Sequence, residues 1–219
     1  MAKTGAVSPA RRSLTRDRIL GVALDLVDRR GLDALSMREL GRALGVEAMS
    51  LYHHFPNKAA LLDGVHDRVL SEIDLSERAG AWEEDFRRAA HSYWRVLVAH
   101  PKVIPLLLPS PTFSIGARSA VEATLRILRR AGLPTKAAYQ MFRIAQALFL
   151  GVAMMLAAKP DDRTLAVEIA NLGEDAGEFP LLGAALRASG TGDPAADFAL
   201  GIEVLVLAIR ARVGSTRSA

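Results

Sequence analysis

The sequence contains no cysteine. This absence excludes disulfides, thiolate metal sites and cysteine nucleophiles, and it suits a reducing compartment. The first twelve residues also lack the run of about 7 to 15 apolar residues that forms the core of a signal peptide. The longest apolar run, residues 147–158, is shorter than the roughly 20 residues that cross a bilayer. We therefore expect a soluble cytoplasmic protein with no membrane partner.

Motifs for catalysis and for cofactors are also missing. The five histidines do not form HExxH or a comparable spacing, and no glycine loop suited to holding phosphates is present. We expect no metal and no cofactor. An enzyme remains the less favoured alternative among the function classes.

Positive charge is concentrated at the amino terminus. The formal net charge is +4, and residues 1–16 contain Lys3, Arg11, Arg12 and Arg16 with no acidic residue, so the rest of the chain is neutral. A mobile basic arm could neutralise DNA phosphates or enter a minor groove. A solubilising tail explains the same composition, and both interpretations stay open.

The most informative stretch is residues 36–55, SMRELGRALGVEAMSLYHHF. Ser36 and Glu39 have the spacing of a capping box, which predicts a helix start. Gly45 permits the left-handed backbone of a sharp turn, and Gly41 leaves room for a second helix to approach. The pattern is typical of a helix-turn-helix that binds DNA. An ordinary helical hairpin in a core is the alternative.

The flanking residues predict two further helices. Residues 15–30 precede the motif, and Pro56 with the capping residue Asn57 begins a helix that runs to about Asp74. The apolar face of residues 15–30 consists of Ile19, Leu20, Ala23, Leu24 and Val27.

Beyond residue 75 the apolar periodicity is helical nearly everywhere. The sequence predicts an all-α fold, with a proline-broken segment at 101–111 and irregular structure around 160–180, including one short helix near 162–172. The other predicted helices are 82–99, 114–130, 134–158, a short one near 181–188, and a last one at 194–212 capped by Asp193. The helices at 134–158 and 194–212 are apolar around most of their circumference, more than one small domain can cover. Burial of both in a monomeric core is the alternative to a partner.

The segment RILGVALDLVDRRGLDALSMRELGRALGVEAMSLYHHFPNKAALLDGV resembles the DNA-binding domain of the tetracycline-repressor (TetR) family of transcriptional regulators. The resemblance covers residues 15–65 without a gap. The remainder is similar, more weakly, to the regulatory domain of the tetracycline-repressor-like subgroup. Its matching residues are Trp82, Phe86, His100-Pro101, Ala131-Gly132-Leu133, Asp197-Phe198 and Gly201-Ile202.

The resemblance implies an N-terminal three-helix helix-turn-helix domain plus a larger helical ligand-binding and dimerisation domain. It implies a homodimer in which the helices at 134–158 and 194–212 pair with their symmetry mates as a four-helix bundle. The corresponding divisions are a basic arm at 1–14, the DNA-binding domain at 15–60, a connecting helix at 61–75, the second domain at 76–212 and a tail at 213–219.

Residues for DNA contact follow from the same resemblance. The recognition helix, about residues 47–54, places five residues at or near the groove: Ala48, Met49, Ser50, Tyr52 and His53. Four more are placed near the DNA backbone: Ser36, Arg38, His54 and Lys58. Serine can bind a base edge or a phosphate, tyrosine and lysine can reach phosphate oxygens, and alanine or methionine can contact a thymine methyl. Leu51 and Phe55 are expected in the core.

The resemblance also implies a repressor that releases a pseudo-palindromic double-stranded operator when a small molecule binds. The candidate pocket consists of Tyr93, Trp94, Leu108, Phe113, Met141, Phe142, Gln146 and Phe149. A metal-binding histidine of the tetracycline repressor falls on Leu107, and Asp74 replaces a second ligand-contacting histidine. These departures favour a largely apolar effector over a metal–tetracycline complex. A DNA-binding dimer without a sensor and an all-α enzyme are the alternatives.

Overall fold

The structure is a computed structural model that describes residues 13–108, 114–157, 167, 179–189 and 193–217. The chain divides into two compact units, Met1–Val65 and His66–Ala219. The described residues form helices and no strand, which confirms the all-α fold class. Several predictions lie outside the described residues: the basic arm up to residue 12, Phe113, the short helix at 162–172 and the end of the tail.

The first unit consists of three complete helices and the first part of a fourth. These are α1 (Arg16–Arg30), α2 (Met37–Leu44), α3 (Ala48–Tyr52) and α4 (Lys58–Leu70), with a 3₁₀ turn at Leu32–Ala34. One apolar core holds them together, because the apolar stripes of the helices face the same interior. Its fully buried residues are Ile19, Ala23, Val27, Leu35, Leu40, Leu51, Phe55, Leu61 and Val65.

Predicted caps set two of the helix starts. The Ser36 side chain accepts the Glu39 N–H at 3.2 Å, and the Asn57 Oδ1 accepts the Ala60 N–H at 2.8 Å. Helix α4 ends at Leu70, earlier than predicted. The Asp74 carboxylate instead accepts hydrogen bonds from the backbone N–H and hydroxyl of Ser76, and this local turn competes with helix.

The second unit is also helical. It contains α5 (Trp82–Ala99), α6 (Ile115–Arg130), α7 (Thr135–Ala157), α8 (Pro180–Ser189) and α9 (Pro194–Arg217). The proline-broken segment forms a 3₁₀ helix at Pro101–Leu107, as the prolines predicted. Helix α9 continues five residues past the predicted end at 212. Asp193 caps it, since its Oδ1 accepts the Ala195 N–H at 2.9 Å.

Aromatic rings form the centre of the second core. The Phe149 and Trp94 rings each lie 4.5 Å, centroid to centroid, from the ring of Phe198, and Tyr93 lies 6.2 Å from Phe149. These four residues come from α5, α7 and α9, so their contacts hold the three helices together. Two salt bridges, Arg87–Glu203 and Arg210–Glu83, also join α5 to α9 at the surface.

Helix α7 has the length and composition of a membrane-spanning segment. Residues Thr135–Met155 have a mean hydropathy of 1.2. The short apolar run at 147–158 therefore does not by itself exclude a membrane-spanning helix. One face of α7 nevertheless packs in the core through Ala138, Ala145, Phe149 and Ala153. With 28% of the span buried, α7 packs on the second core along one face only.

A buried carboxylate fastens the segment after α4 to α5 and α6. Asp85 is 2% exposed and accepts hydrogen bonds from Arg88 (2.6 Å), Arg130 (2.5 Å) and the backbone N–H of Arg78 (3.2 Å). Burial by itself raises the pKa of this carboxyl group, but the three hydrogen bonds outweigh burial and lower the pKa below its usual value. The charged form is therefore the one that the fold stabilises.

We expect the contribution of Asp85 to stability to depend on pH. Because the pKa of Asp85 is lower in the folded state, its contribution is complete above its unfolded pKa of about 3.9 and is lost as the pH falls through the folded value. The variant Asp85→Asn should lower the free energy of unfolding by about 1–3 kcal/mol at pH 7. Urea unfolding at pH 7 and at pH 3 measures this difference. The exposed Glu122→Gln serves as the control, and a deficit that persists undiminished at pH 3 would contradict the expectation.

Candidate DNA-binding site

The turn between α2 and α3 depends on two glycines. Gly45 adopts the left-handed conformation, with φ 69° and ψ 34°. A Cβ at Gly41 would lie 2.9 Å from the Val46 carbonyl oxygen and 3.3 Å from the Ala48 nitrogen. Side-chain atoms are essentially never so close to backbone, so the two helices meet in backbone contact. Both glycine roles predicted from the sequence are confirmed.

The capping box at α2 is only half formed. Glu39 does not serve as the reciprocal cap, since its carboxylate accepts hydrogen bonds from Arg30 at 2.6 Å and Arg42 at 2.7 Å. Both partners are charged in these bonds, whereas the reciprocal cap would join the carboxylate to a neutral backbone N–H. Glu39 thereby ties the end of α1 to α2, a long-range role that local spacing does not reveal.

The recognition helix α3 is shorter than predicted and ends at Tyr52. Leu51 and Phe55 are fully buried, as expected, and anchor this segment to the core. On the outside, Met49 is 70% exposed and Tyr52 is 43% exposed. Large apolar and aromatic side chains at such exposure are available for contact with another molecule.

The other predicted DNA-contact residues lie on the same segment or at neighbouring helix starts. Ala48, Ser50 and His54 are half-buried, and His53 is exposed in the turn after α3. Ser36, Arg38 and Lys58 are exposed at the starts of α2 and α4. Exposed hydroxyl, guanidinium and ammonium groups at helix starts are suited to phosphate oxygens.

Arg16 has a role that the sequence did not reveal. It is one of the four cations of residues 1–16, and it is the first residue of α1. Its guanidinium lies 4.1 Å from the centroid of the Phe55 ring and donates a hydrogen bond to the carbonyl of His54. The contact stabilises the end of the recognition segment through cation–π attraction. The sequence signal that α1 begins at Arg16 is Thr15, a capping residue whose side chain accepts the Arg18 N–H.

The described part of the first unit has no net charge. Residues 13–65 contain seven Lys or Arg and seven Asp or Glu. The positive charge at this end of the chain therefore comes from Lys3, Arg11 and Arg12. Attraction to a polyanion would depend on these three residues more than on the folded unit.

The predicted pocket residues of the second unit differ in burial. Phe149 belongs to the aromatic core, Leu108 is exposed, and Tyr93, Trp94, Met141, Phe142 and Gln146 are half-buried. Burial raises the pKa of the Tyr93 phenol, so this group is neutral and available as a hydrogen-bond donor. Within the described residues no cluster of three or more His, Asp or Glu side chains has a geometry that could hold a metal ion.

The outer faces of α7 and α9 remain uncovered. Val204 is 53% exposed and Leu207 is 62% exposed on α9, and a groove of about 730 Å³ lies between the two helices. Its lining consists of Ala137, Gln140, Met141, Arg143, Ile144, Ala147, Ala208 and Arg212. Among the described residues, these faces are therefore not buried in the core of a single chain.

Both units match models of known protein families. Residues 19–65 match bacterial regulatory proteins of the tetR family, and residues 76–213 match the C-terminal domain of tetracycline repressor-like proteins. The two matches agree with the division of the structure into a small and a larger helical unit.

Curated relatives are transcriptional regulators. The chain is 32% identical to the repressor DrrR1 of Streptomyces coeruleorubidus over 55% of this chain and 46% of that protein. The chain spans about half the length of the first curated relatives it matches. It is also 30% identical to the class A tetracycline repressor of transposon 1721 from Escherichia coli, over 86% of this chain and 87% of that protein.

Solved structures share the whole fold. The structure of ActR from Streptomyces coelicolor without ligand superposes with a TM-score of 0.81 at 29% identity, covering 96% of this chain and 100% of that chain. ActR in complex with actinorhodin superposes with a TM-score of 0.79 at 29% identity, covering 93% of this chain and 100% of that chain.

The contact at Gly41 can be tested by adding one methyl group. In Gly41→Ala the new Cβ would meet the Val46 carbonyl, so α2 and α3 must separate, at a cost of about 1–3 kcal/mol. Urea unfolding followed by circular dichroism measures the loss. The control is Gly214→Ala, where a Cβ meets nothing within 4 Å. Equal unfolding midpoints for the two variants would show that the close crossing is not required.

Proposed function

The chain belongs to the TetR family of bacterial transcriptional regulators, and we propose that it binds a pseudo-palindromic operator as a homodimer and releases it when a small molecule binds. Its relatives are regulators and not enzymes. Within this proposal residues 15–60 bind DNA, residues 61–75 connect the units, and residues 76–212 bind the effector and dimerise. A cytoplasmic location, where operator DNA is found, is part of this proposal.

The exposed surface of the recognition segment is the observation that carries the DNA-binding proposal. Met49, Tyr52 and His53 project from a helix whose opposite side is fully buried through Leu51. A short helix anchored in this way can enter a major groove with little loss of conformational entropy. Few of its side chains can form hydrogen bonds to bases, so phosphate contacts and the basic arm supply much of the affinity.

The uncovered faces of α7 and α9 support the homodimer. Exposed apolar residues recur at a helical spacing on α9, through Leu200, Val204 and Leu207. An apolar stripe of this kind suits pairing with the same stripe of a second copy about a two-fold axis. Such a dimer presents two recognition helices, which requires two half-sites about one helical turn of DNA apart.

The second unit supports a small, largely apolar effector. ActR has been solved with actinorhodin bound, and the class A relative is named for tetracycline. The half-buried side chains of Tyr93, Trp94 and Phe142 offer aromatic surface with the neutral phenol of Tyr93 as a donor. Leu107 is buried and apolar, so it cannot act as a metal ligand. A DNA-binding dimer without a sensor remains the alternative.

Loss of phosphate contacts should weaken binding to every DNA sequence. We expect Tyr52→Ala and Lys58→Ala each to lower affinity for a duplex from the region upstream of the gene. Lys58→Ala should also reduce the slope of log affinity against log salt by about one unit, whereas Tyr52→Ala removes no charge and should leave the slope unchanged. Fluorescence anisotropy at several salt concentrations measures both quantities. Arg95→Ala, an exposed cation of the second unit, is the control, and unchanged affinity for both test variants would remove these residues from the site.

Charge placed on the exposed face of α9 should prevent dimerisation. In Val204→Lys/Leu207→Lys four lysines would meet across the two-fold axis without partners, and the cost of burying them exceeds what the interface supplies. Sedimentation velocity should show a monomer with unchanged helix content. Val98→Lys, a similarly exposed valine on α5, should remain dimeric. A dimer in the double variant would place the interface elsewhere.

A further inference from the structure

The recognition helix has few local contacts that hold its C-terminal end. Helix α3 contains only five residues, and its N-cap residue Glu47 makes no side-chain capping bond. A helix of this length is not stable by itself, so contacts from elsewhere in the unit must hold it. The backbone N–H groups of His54 and Phe55 both donate to the Leu51 carbonyl at 2.9 Å. The carbonyl of His54 lies beyond this last turn, where a donor from another element can hold it.

One guanidinium supplies that donor and also contacts the next residue. Arg16 donates through Nη1 to the His54 carbonyl, and its Cζ lies 4.1 Å from the centroid of the Phe55 ring. The Phe55 side chain is fully buried, so its ring is a fixed part of the core. A planar guanidinium can lie on an aromatic face while its N–H groups donate in the plane. Arg16 thereby holds the His54 carbonyl beside a buried ring.

The place of Arg16 in its own helix does not account for these contacts. Arg16 is the first residue of α1, and a helix N-terminus carries partial positive charge, which disfavours a cation there. Thr15 already caps the start of α1, since its hydroxyl accepts the Arg18 N–H at 3.2 Å. The carbonyl end of a helical segment carries partial negative charge, so the guanidinium is better placed beside His54. Its contribution therefore concerns the recognition segment.

The contact bears on the direction of the exposed side chains of this segment. Tyr52 and His53 are exposed, and both lie between the buried residues Leu51 and Phe55. A binding site needs its side chains held within about 0.5 Å of the productive geometry. Contacts with base edges carry the sequence information, and phosphate contacts carry none. Looser positioning therefore costs more affinity for the correct sequence than for other sequences.

We propose that Arg16 is a positioning residue for sequence recognition, because it fixes the end of the recognition segment from inside the DNA-binding unit. This inference rests on the proposed function, since it concerns the same DNA-binding site. Arg16 is exposed, and an exposed arginine near a DNA-binding surface is commonly a phosphate contact. The guanidinium here acts through His54 and Phe55, and binding does not require its charge to meet a phosphate.

Two substitutions of Arg16 and one matched control separate these roles. Arg16→Ala removes the hydrogen bond and the ring contact together. Arg16→Lys keeps the charge but lacks the planar fork that lies on the ring and donates to the carbonyl. The control is Arg29→Ala in the last turn of α1, where Nε donates to the Asp25 carbonyl of the same helix at 3.1 Å. The control thus removes the same charge and a carbonyl hydrogen bond without touching the recognition segment.

Binding is measured with duplexes that the wild-type protein selects from a random pool, and with a shuffled duplex of the same composition. Arg16→Ala should weaken binding to the selected duplex about tenfold, as loss of a hydrogen bond from a charged group predicts. Binding to the shuffled duplex should change by less than about twofold, because it depends on phosphate contacts. For the same reason the slope of log affinity against log salt should stay within about 0.3 of the wild-type value.

The lysine variant decides between positioning and charge. Arg16→Lys should still bind the selected duplex about fivefold more weakly than the wild type, since the fork is lost. Full affinity in Arg16→Lys, with a slope reduced by about one unit in Arg16→Ala, would assign Arg16 to a phosphate and overturn the proposal. An equal loss on both duplexes would indicate a general structural role and would overturn it as well. Arg29→Ala should match the wild type on both duplexes.

Hydrogen exchange of the full-length protein measures the contact without DNA. Arg16→Ala should accelerate exchange of the His54 and Phe55 amides about tenfold, because these amides close the segment that Arg16 holds. Arg29→Ala should leave both amides unchanged, and unchanged exchange in Arg16→Ala would contradict the proposal. If the pool enriches no sequence, the proposed function fails, and the exchange measurement still decides whether Arg16 holds the segment.

Discussion

Backbone contact at Gly41 is the constraint on which the DNA-binding unit depends. Without a side chain at this position, α2 approaches Val46 and Ala48 closely enough for the turn at Gly45 to close. With the two helices this close, Leu51 and Phe55 are fully buried, and Met49 and Tyr52 are exposed. The exposed surface of the recognition segment thus depends on the close approach of α2 and α3 at Gly41.

Charged residues organise this protein chiefly by joining elements. Glu39 joins α1 to α2, and Asp85 joins the segment after α4 to α5 and α6. Arg16 serves the first unit in the same way through Phe55. Because residues 13–65 are neutral in sum, the net positive charge at this end of the chain belongs to Lys3, Arg11 and Arg12. The arginines that join elements of the fold thus differ from the residues that give this end its net charge.

Helix α4 belongs to both compact units, since the division falls between Val65 and His66. Within the first unit Gly64 of this helix lies close to α1 and to the end of the recognition segment, since a Cβ there would lie 2.7 Å from Leu20 Cδ2 and 3.0 Å from Phe55 Cε1. This close approach holds the first part of α4 against the residue that follows the recognition segment.

Local sequence was sufficient to identify the helices, the caps at Ser36, Asn57 and Asp193, the turn at Gly45 and the burial of Leu51 and Phe55. These features depend on hydrogen bonds and backbone conformations within a few residues, or on an apolar period. The sequence did not reveal the diversion of Glu39 to Arg30 or the binding of Arg16 on Phe55. Each involves competition between a local bond and one formed by residues brought together in folding. Only the tertiary structure decides such competition, because the stronger partner is absent from the neighbouring sequence.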